Sequence, residues 1–110
     1  MTNVAIVTDS CASIPENIIE QMGIHTVAYY IHRGQDVLRD LVTIQRDEFL
    51  RWMPGASVLP TTASPGPGDY FQQYQDLIAR GINEILSIHI TSRGSAAYEA
   101  ACVAKSMIAE

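Results

Sequence analysis

Val4-Ala5-Ile6-Val7-Thr8-Asp9-Ser10 decides the fold. Four apolar residues in unbroken succession, two of them valine and one isoleucine, read as a short strand buried on both faces, the habit of parallel sheets. The run stops abruptly on hydroxyls and a carboxylate. The same form returns at Ile85-Leu86-Ser87-Ile88-His89-Ile90, followed by Thr91-Ser92-Arg93-Gly94-Ser95. Between them residues 24–31, Ile-His-Thr-Val-Ala-Tyr-Tyr-Ile, are β-branched and aromatic and predict another strand. Helical patterns separate these runs, and strands alternating with helices imply parallel pairing through right-handed crossovers.

Outward from those strands, Ser13-Ile14-Pro15-Glu16 matches a capping box, so a helix is expected to run to about Met22, where Gly23 stops it. Arg33-Gly34-Gln35 is a turn signal, and residues 36–40 can return as a short hairpin partner. Thr43 is a candidate N-cap for a helix ending at Met53 before Pro54-Gly55. Residues 55–68, with Pro60, Pro65 and Pro67, read as one long irregular stretch, and such loops are often functional. A helix from Pro67 or Gly68 to Arg80 follows, closed by Gly81, and Ser95 can cap a last helix over residues 96–108. The expectation is a single α/β domain over residues 1–110: a parallel-sheet layered structure with a possible short antiparallel hairpin. Its last helix should feed a further strand.

The chain has 110 residues, 47% hydrophobic and 17% charged, which suits one globular domain and not a disordered chain. A net charge of -5 with scattered Lys and Arg excludes a nucleic-acid binder of the usual basic-stripe kind. No apolar run approaches the roughly 18 residues of a membrane span. The first residues, from Met1 to Asp9, lack a basic start and argue against a secretory leader. Cys11 and Cys102 do not make a disulfide framework, so two free thiols in the cytoplasm are expected.

The chemistry gathers in three segments: Ile6-Val7-Thr8-Asp9-Ser10, Pro60-Thr61-Thr62-Ala63-Ser64-Pro65, and Ser87 to Ser95. Hydroxyls at the carboxyl ends of parallel strands and at helix starts suit a small anionic group. Each also has a plainer reading. Ser95 can be no more than an N-cap, Thr62 a loop hydroxyl, and Asp9-Ser10 organisers of the loop. His89 reads as a satisfied strand histidine. His25, His32 and His89 have no metal-ligand spacing, Gly66-Pro67-Gly68 is no phosphate loop, and no cofactor signature is present.

These three segments resemble the DegV family, which includes the fatty-acid-binding subunits of bacterial fatty acid kinase. Ile6-Val7-Thr8-Asp9-Ser10-Cys11-Ala12 is similar to the family's I-V-T-D-S-T/S-A. Pro60-Thr61-Thr62-Ala63-Ser64-Pro65-Gly66-Pro67 is similar to P-T-T-S-Q-P-S-P, and Ser87 to Tyr98 to S-I-H-I-S-S-x-L-S-G-T-Y. The resemblance implies that this chain corresponds to the first part of a DegV N-terminal domain, the second domain being absent from it. It also implies a long-chain fatty acid as ligand, its carboxylate met by Thr62 and Ser95, with Asp9, Ser10, Thr61 and Ser92 in the surrounding shell. A fatty acid kinase catalytic subunit is the implied partner, and this chain itself is expected to be non-catalytic. The departures are Ala63 for serine, Gly94 for leucine, and Ala96-Ala97 for Gly-Thr.

Two other readings stay open. One is a phosphotransfer or hydrolytic enzyme using His89 or Cys11 with Asp9, which an exposed His89 near Asp9 would favour. The other is a chain that binds no lipid and self-associates through an open sheet edge and an apolar helix face. Either way a homo-oligomer is expected.

Overall fold

The computed structural model describes residues 4–108. Met1, Thr2 and Asn3, the first residues of the stretch read as lacking a leader, lie outside them. Strand β1 (Val4–Asp9) is the centre of a three-stranded parallel sheet, flanked by β2 (His25–Val27) on one side and β6 (Glu84–Ile88) on the other. The two end runs of the sequence therefore pair directly, with Ala5 opposite Ile85 and Thr8 opposite Ile88. The Thr8 hydroxyl donates to the Ile88 carbonyl at 2.8 Å, tying the carboxyl ends of both strands together.

A second sheet is antiparallel, in the order β4 (Asp36–Arg39), β3 (Tyr30–Arg33), β5 (Thr61–Ala63). The hairpin through Gly34 (φ 63°) is as expected. Residues 24–31 are not one strand, however. The chain leaves the first sheet after Val27 and enters the second at Tyr30. Ala28 and Tyr29 make the crossing, and their backbone is held by side chains: Arg39 donates to the Ala28 carbonyl at 3.1 Å, and the Tyr29 N–H donates to Ser10 Oγ at 3.0 Å. The stretch 55–68 is also not wholly irregular, since its Thr61–Ala63 segment pairs with β3.

Helix α1 (Glu16–Met22) ends on Gly23 at φ 63° as the sequence indicates. Its start differs from the expected capping box. Asp9 caps a 3₁₀ turn over Ser10–Ala12 instead, and Ser13 is the left-handed exit from that turn (φ 56°), so its hydroxyl is not available to α1. Thr43 likewise does not cap α2 (Arg46–Trp52). Its Oγ1 accepts the Arg39 N–H at 2.6 Å and closes the turn after β4, leaving Gln45 at the N-cap. Both residues chose the nearer backbone group.

Helices α3 (Pro67–Ala79) and α4 (Ala97–Met107) lie together on one face of the parallel sheet. The core between them is Ala5 and Val7 of β1, Val27, Tyr29, Tyr70, Tyr74 and Leu77 of α3, and four alanines of α4. Alanines at 97, 100, 101 and 104 repeat at helical spacing and let α4 pack closely against α3.

Candidate functional site

The carboxyl ends of β1 and β6 carry the polar residues. Asp9 is 2% exposed, and its carboxylate is divided between two donors: Oδ1 accepts the Cys11 N–H at 3.1 Å, and Oδ2 lies 3.3 Å from His89 Nδ1. His89 Nε2 meets Ser87 Oγ at 2.5 Å, and that oxygen meets the Tyr74 hydroxyl at 2.7 Å. Asp9, His89, Ser87 and Tyr74 thus form one hydrogen-bonded chain running from the β1 terminus down to α3. Its connectivity is that of a serine, histidine and aspartate relay. The His89 side chain is 4% exposed, though, and the Ser87 hydroxyl is already shared with Tyr74. The enzyme reading asked for an exposed His89 near Asp9; the proximity is met and the exposure is not.

A second chain of hydrogen bonds starts one residue later. Ser10, 4% exposed, accepts the Tyr29 N–H, and the Tyr29 hydroxyl meets Ser95 Oγ at 2.6 Å. Ser95 Oγ also accepts the Ala97 N–H at 3.2 Å, so the residue caps α4, though the helix begins at Ala97 and not at 96. One hydroxyl therefore does two jobs, capping the helix and facing a tyrosine. Burial, partly offset by the Ser95 hydrogen bond, pushes the Tyr29 phenol above its usual range. The group stays a neutral donor at physiological pH.

Thr62 is exposed on β5, opposite Ile31. Alternate residues of a strand share a face, so Thr62, Ile31 and the side chain two before it, Tyr29, point to the same side where the extended chain continues. Continuity is supported by the Asp40 N–H donating to the Tyr29 carbonyl at 3.0 Å, which lengthens the β3–β4 ladder by one step. Diagonal neighbours of this kind lie about 7–8 Å apart. By the same alternation Thr61, opposite His32, points to the other side of the sheet. Ser92 is exposed in the turn before α4, where the Gly94 N–H closes onto the Thr91 carbonyl at 2.8 Å.

β5 is positioned by a third cluster. The Tyr30 hydroxyl donates to Asp69 at 3.0 Å, and the other Asp69 oxygen accepts the Gly66 N–H at 2.9 Å, capping α3. Arg39 lies over the Tyr30 ring at 4.4 Å and 3.7 Å from Asp69. One carboxylate thus joins the second sheet to the start of α3. Sequence reasoning missed Tyr29, Tyr30 and Asp69. Their only signal was aromatic residues in a strand and an acid in a helix's first turn, both of which ordinarily mean packing and capping.

Cys11 is exposed, and its thiol is pushed up by burial first and then by Asp9 and Asp40, so the thiolate a nucleophile needs is disfavoured. Among the described residues no cluster of three or more metal-ligating side chains occurs, and no helix is long and apolar enough to cross a membrane.

Several known proteins are similar to this chain in sequence or in fold. A DegV domain-containing protein of Caldanaerobacter subterraneus is 32% identical over 108 residues, covering 98% of this chain and 38% of the relative. Protein DegV of Bacillus subtilis is 30% identical over 106 residues, covering 96% of this chain and 37% of its own length. The chain thus spans under two fifths of the relatives it matches. Among solved structures, DegV of Bacillus subtilis, a fatty acid binding protein, superposes with TM-score 0.89 at 28% identity over 99% of this chain and 38% of its own. A stearic acid-binding protein from Eubacterium ventriosum superposes with TM-score 0.85 at 26% identity, covering 96% of this chain and 36% of that one. Residues 3–110 match the family described as uncharacterised proteins of the DegV family, and this chain belongs to the DegV family.

Proposed function

We propose that this chain supplies the head-group side of a site for a long-chain fatty acid, binding the lipid rather than turning it over. The observation that carries this reading is the Ser10–Tyr29–Ser95 hydrogen-bonded chain at the start of α4, with Thr62 on the neighbouring strand. These are neutral donors with no general base among them. A carboxylate placed there gains hydroxyl donors and the amino end of an 11-residue helix. The acyl tail supplies most of the affinity, at about 0.8 kcal/mol per buried methylene. The solved relatives that bind fatty acids support the ligand class.

The finer parts of the proposal are a kinase partner, a homo-oligomer and a cytoplasmic setting. A head group held by neutral hydroxyls leaves its oxygen free to accept a phosphoryl group from a separate enzyme. The face of β6 turned away from α3 and α4 exposes Leu86 and Ile88, each at 52%, and Ile90 just past its end is 43% exposed, an apolar patch of the kind that drives self-association. Cys11 and Cys102 are free thiols that suit a reducing compartment.

The test is native mass spectrometry of protein purified from a bacterial host, followed by titration with a fluorescent fatty acid. Copurified fatty acid is expected. Thr62→Val and Ser95→Ala should each weaken binding roughly tenfold to a hundredfold, the effect of losing one hydrogen bond to a charged group worth about 1.5–3 kcal/mol. A parent chain that neither copurifies with lipid nor binds the fluorescent analogue would refute the reading for this chain.

A further inference from the structure

Thr62 and the rest of the proposed head-group site belong to different sheets. Ser10 follows β1 and Ser95 caps α4, whereas Thr62 lies on β5 at the edge of the antiparallel sheet. β5 is three residues long, exposed throughout, and pairs only with β3 among the described residues. One ladder and no buried side chain leave its place to be set by neighbours. The neighbour that ties it to the parallel sheet is Asp69, in the first turn of α3 and next to Tyr70, which is wholly buried in the core. Tyr30 is the β3 partner of Ala63, and its hydroxyl donates to Asp69 Oδ1 at 3.0 Å. From Ala63 the chain runs through Ser64 and Pro65 to Gly66, whose N–H donates to Asp69 Oδ2 at 2.9 Å. The two bonds close a ring beside Thr62. Arg39 extends it toward the other half of the site: its guanidinium lies 3.7 Å from Asp69 and donates to the carbonyl of Ala28, the residue before Tyr29.

We propose that Asp69 is a positioning residue for the lipid carboxylate, holding Thr62 where its hydroxyl and those of Tyr29 and Ser95 converge on one head group. The inference rests on the fatty-acid reading above and names a residue that sets its geometry. Asp69 does not touch the ligand. Tyr30 and Ile31 alternate along β3, and Thr62 shares the face of Ile31, so Asp69 meets the sheet from the other side and acts through β5. Capping α3 would need only the Gly66 N–H, and neither Tyr30 nor Arg39 has a part in that cap. The charge of Asp69 separates positioning from electrostatics. Removing a negative charge near a bound anion strengthens binding where charge alone decides. It weakens binding where the carboxylate works by placing Thr62.

The test is displacement of a fluorescent fatty acid from the full chain by palmitate and by hexadecanol, which share a tail and differ in head group. Asp69→Ala should weaken palmitate roughly tenfold and hexadecanol by no more than about threefold, since a hydrogen bond to a charged group is worth more than one to a neutral group. Asp69→Asn, equally neutral, can still accept the Gly66 N–H and donate to the Tyr30 oxygen, so it should recover part of the loss. Tyr30→Phe cuts the strand bond and spares the cap on α3; it should act in the same direction as Asp69→Ala, and it decides the matter if circular dichroism shows that Asp69→Ala does not fold. In a Thr62→Val background the loss of Asp69 should add nothing further. Tighter palmitate binding by Asp69→Ala, equal losses for the two ligands, a further loss in the Thr62→Val background, or parent affinity in folded Tyr30→Phe would each overturn the proposal. A parent chain that binds no palmitate would overturn the fatty-acid reading itself, and this proposal with it.

Discussion

The Tyr70 hydroxyl is buried and meets no protein donor or acceptor among the described residues. Its ring stands edge-on to His89 with centroids 5.0 Å apart, and burial, followed by Asp9 and Tyr29, pushes its phenol far above the ordinary range. A hydroxyl in that position contributes volume without a bond. Tyr70→Phe should therefore leave the unfolding free energy unchanged or raise it by up to about 1 kcal/mol, read from urea titration; a clear loss would show that the hydroxyl has a partner. His89 is the opposite case, because both ring nitrogens are engaged. His89→Gln cannot reach Asp9 and Ser87 in the same geometry and leaves a buried carboxylate short of a donor. It should cost about 1–3 kcal/mol of stability, while the folded variant keeps the fatty-acid affinity of the parent. These roles were half legible in the sequence. A histidine within an apolar strand announces a partner without naming it, and Asp9, 80 residues away, is reached only through the β1–β6 register.

Among the elements, the helix stops were readable, and so were the start of α3 at Pro67 and the Ser95 cap of α4, whereas the starts of α1 and α2 were not. Gly23 and Gly81 both sit at positive φ, 63° and 88°, where an L side chain is strained. A Cβ at Gly81 would meet no atom within 4 Å, so only the backbone conformation sets the cost of filling it. Gly81→Ala should destabilise by about 1–2 kcal/mol, whereas Gly55→Ala, at an ordinary φ with equally open space, should fall within about 0.5 kcal/mol of the parent. Thermal unfolding of the pair checks the contrast. Those two starts failed for a physical reason: Ser13 and Thr43 are short polar side chains with several backbone groups in reach, and the closer turn won each time. β5 was hidden because three residues bounded by prolines carry no period to read. Only the partner strand makes Thr61–Ala63 a strand.

For the molecule as a whole, buried tyrosines shape the alkaline response. Tyr29, Tyr70 and Tyr74 are all pushed above the ordinary phenol value, in each case chiefly by burial. A raised folded value means the unfolded chain releases these protons first. The stability they confer is full below about pH 10 and is lost as pH rises through the folded values. Melting temperature should thus hold level from pH 7 to 9 and fall steeply above 10, and Tyr74→Phe should soften the fall, although it gives up the bond to Ser87. A flat profile to pH 11 would show that these phenols are not buried in solution.

By itself the sequence determined the α/β class, the parallel pairing of the two apolar end runs, the hairpin at Gly34 and the family. Each rests on local pattern or on motif spacing, and local pattern follows from side-chain burial within a few residues. Only the tertiary structure decided that residues 24–31 are shared between two sheets, because a strand's partner is chosen by the whole chain. It alone joined Ser10, Tyr29 and Ser95 into one hydrogen-bonded run, since those contacts span 19 and 66 positions. It also turned Thr62 and Thr61 to opposite faces, because register against β3, and not the threonines themselves, sets which side each one sees.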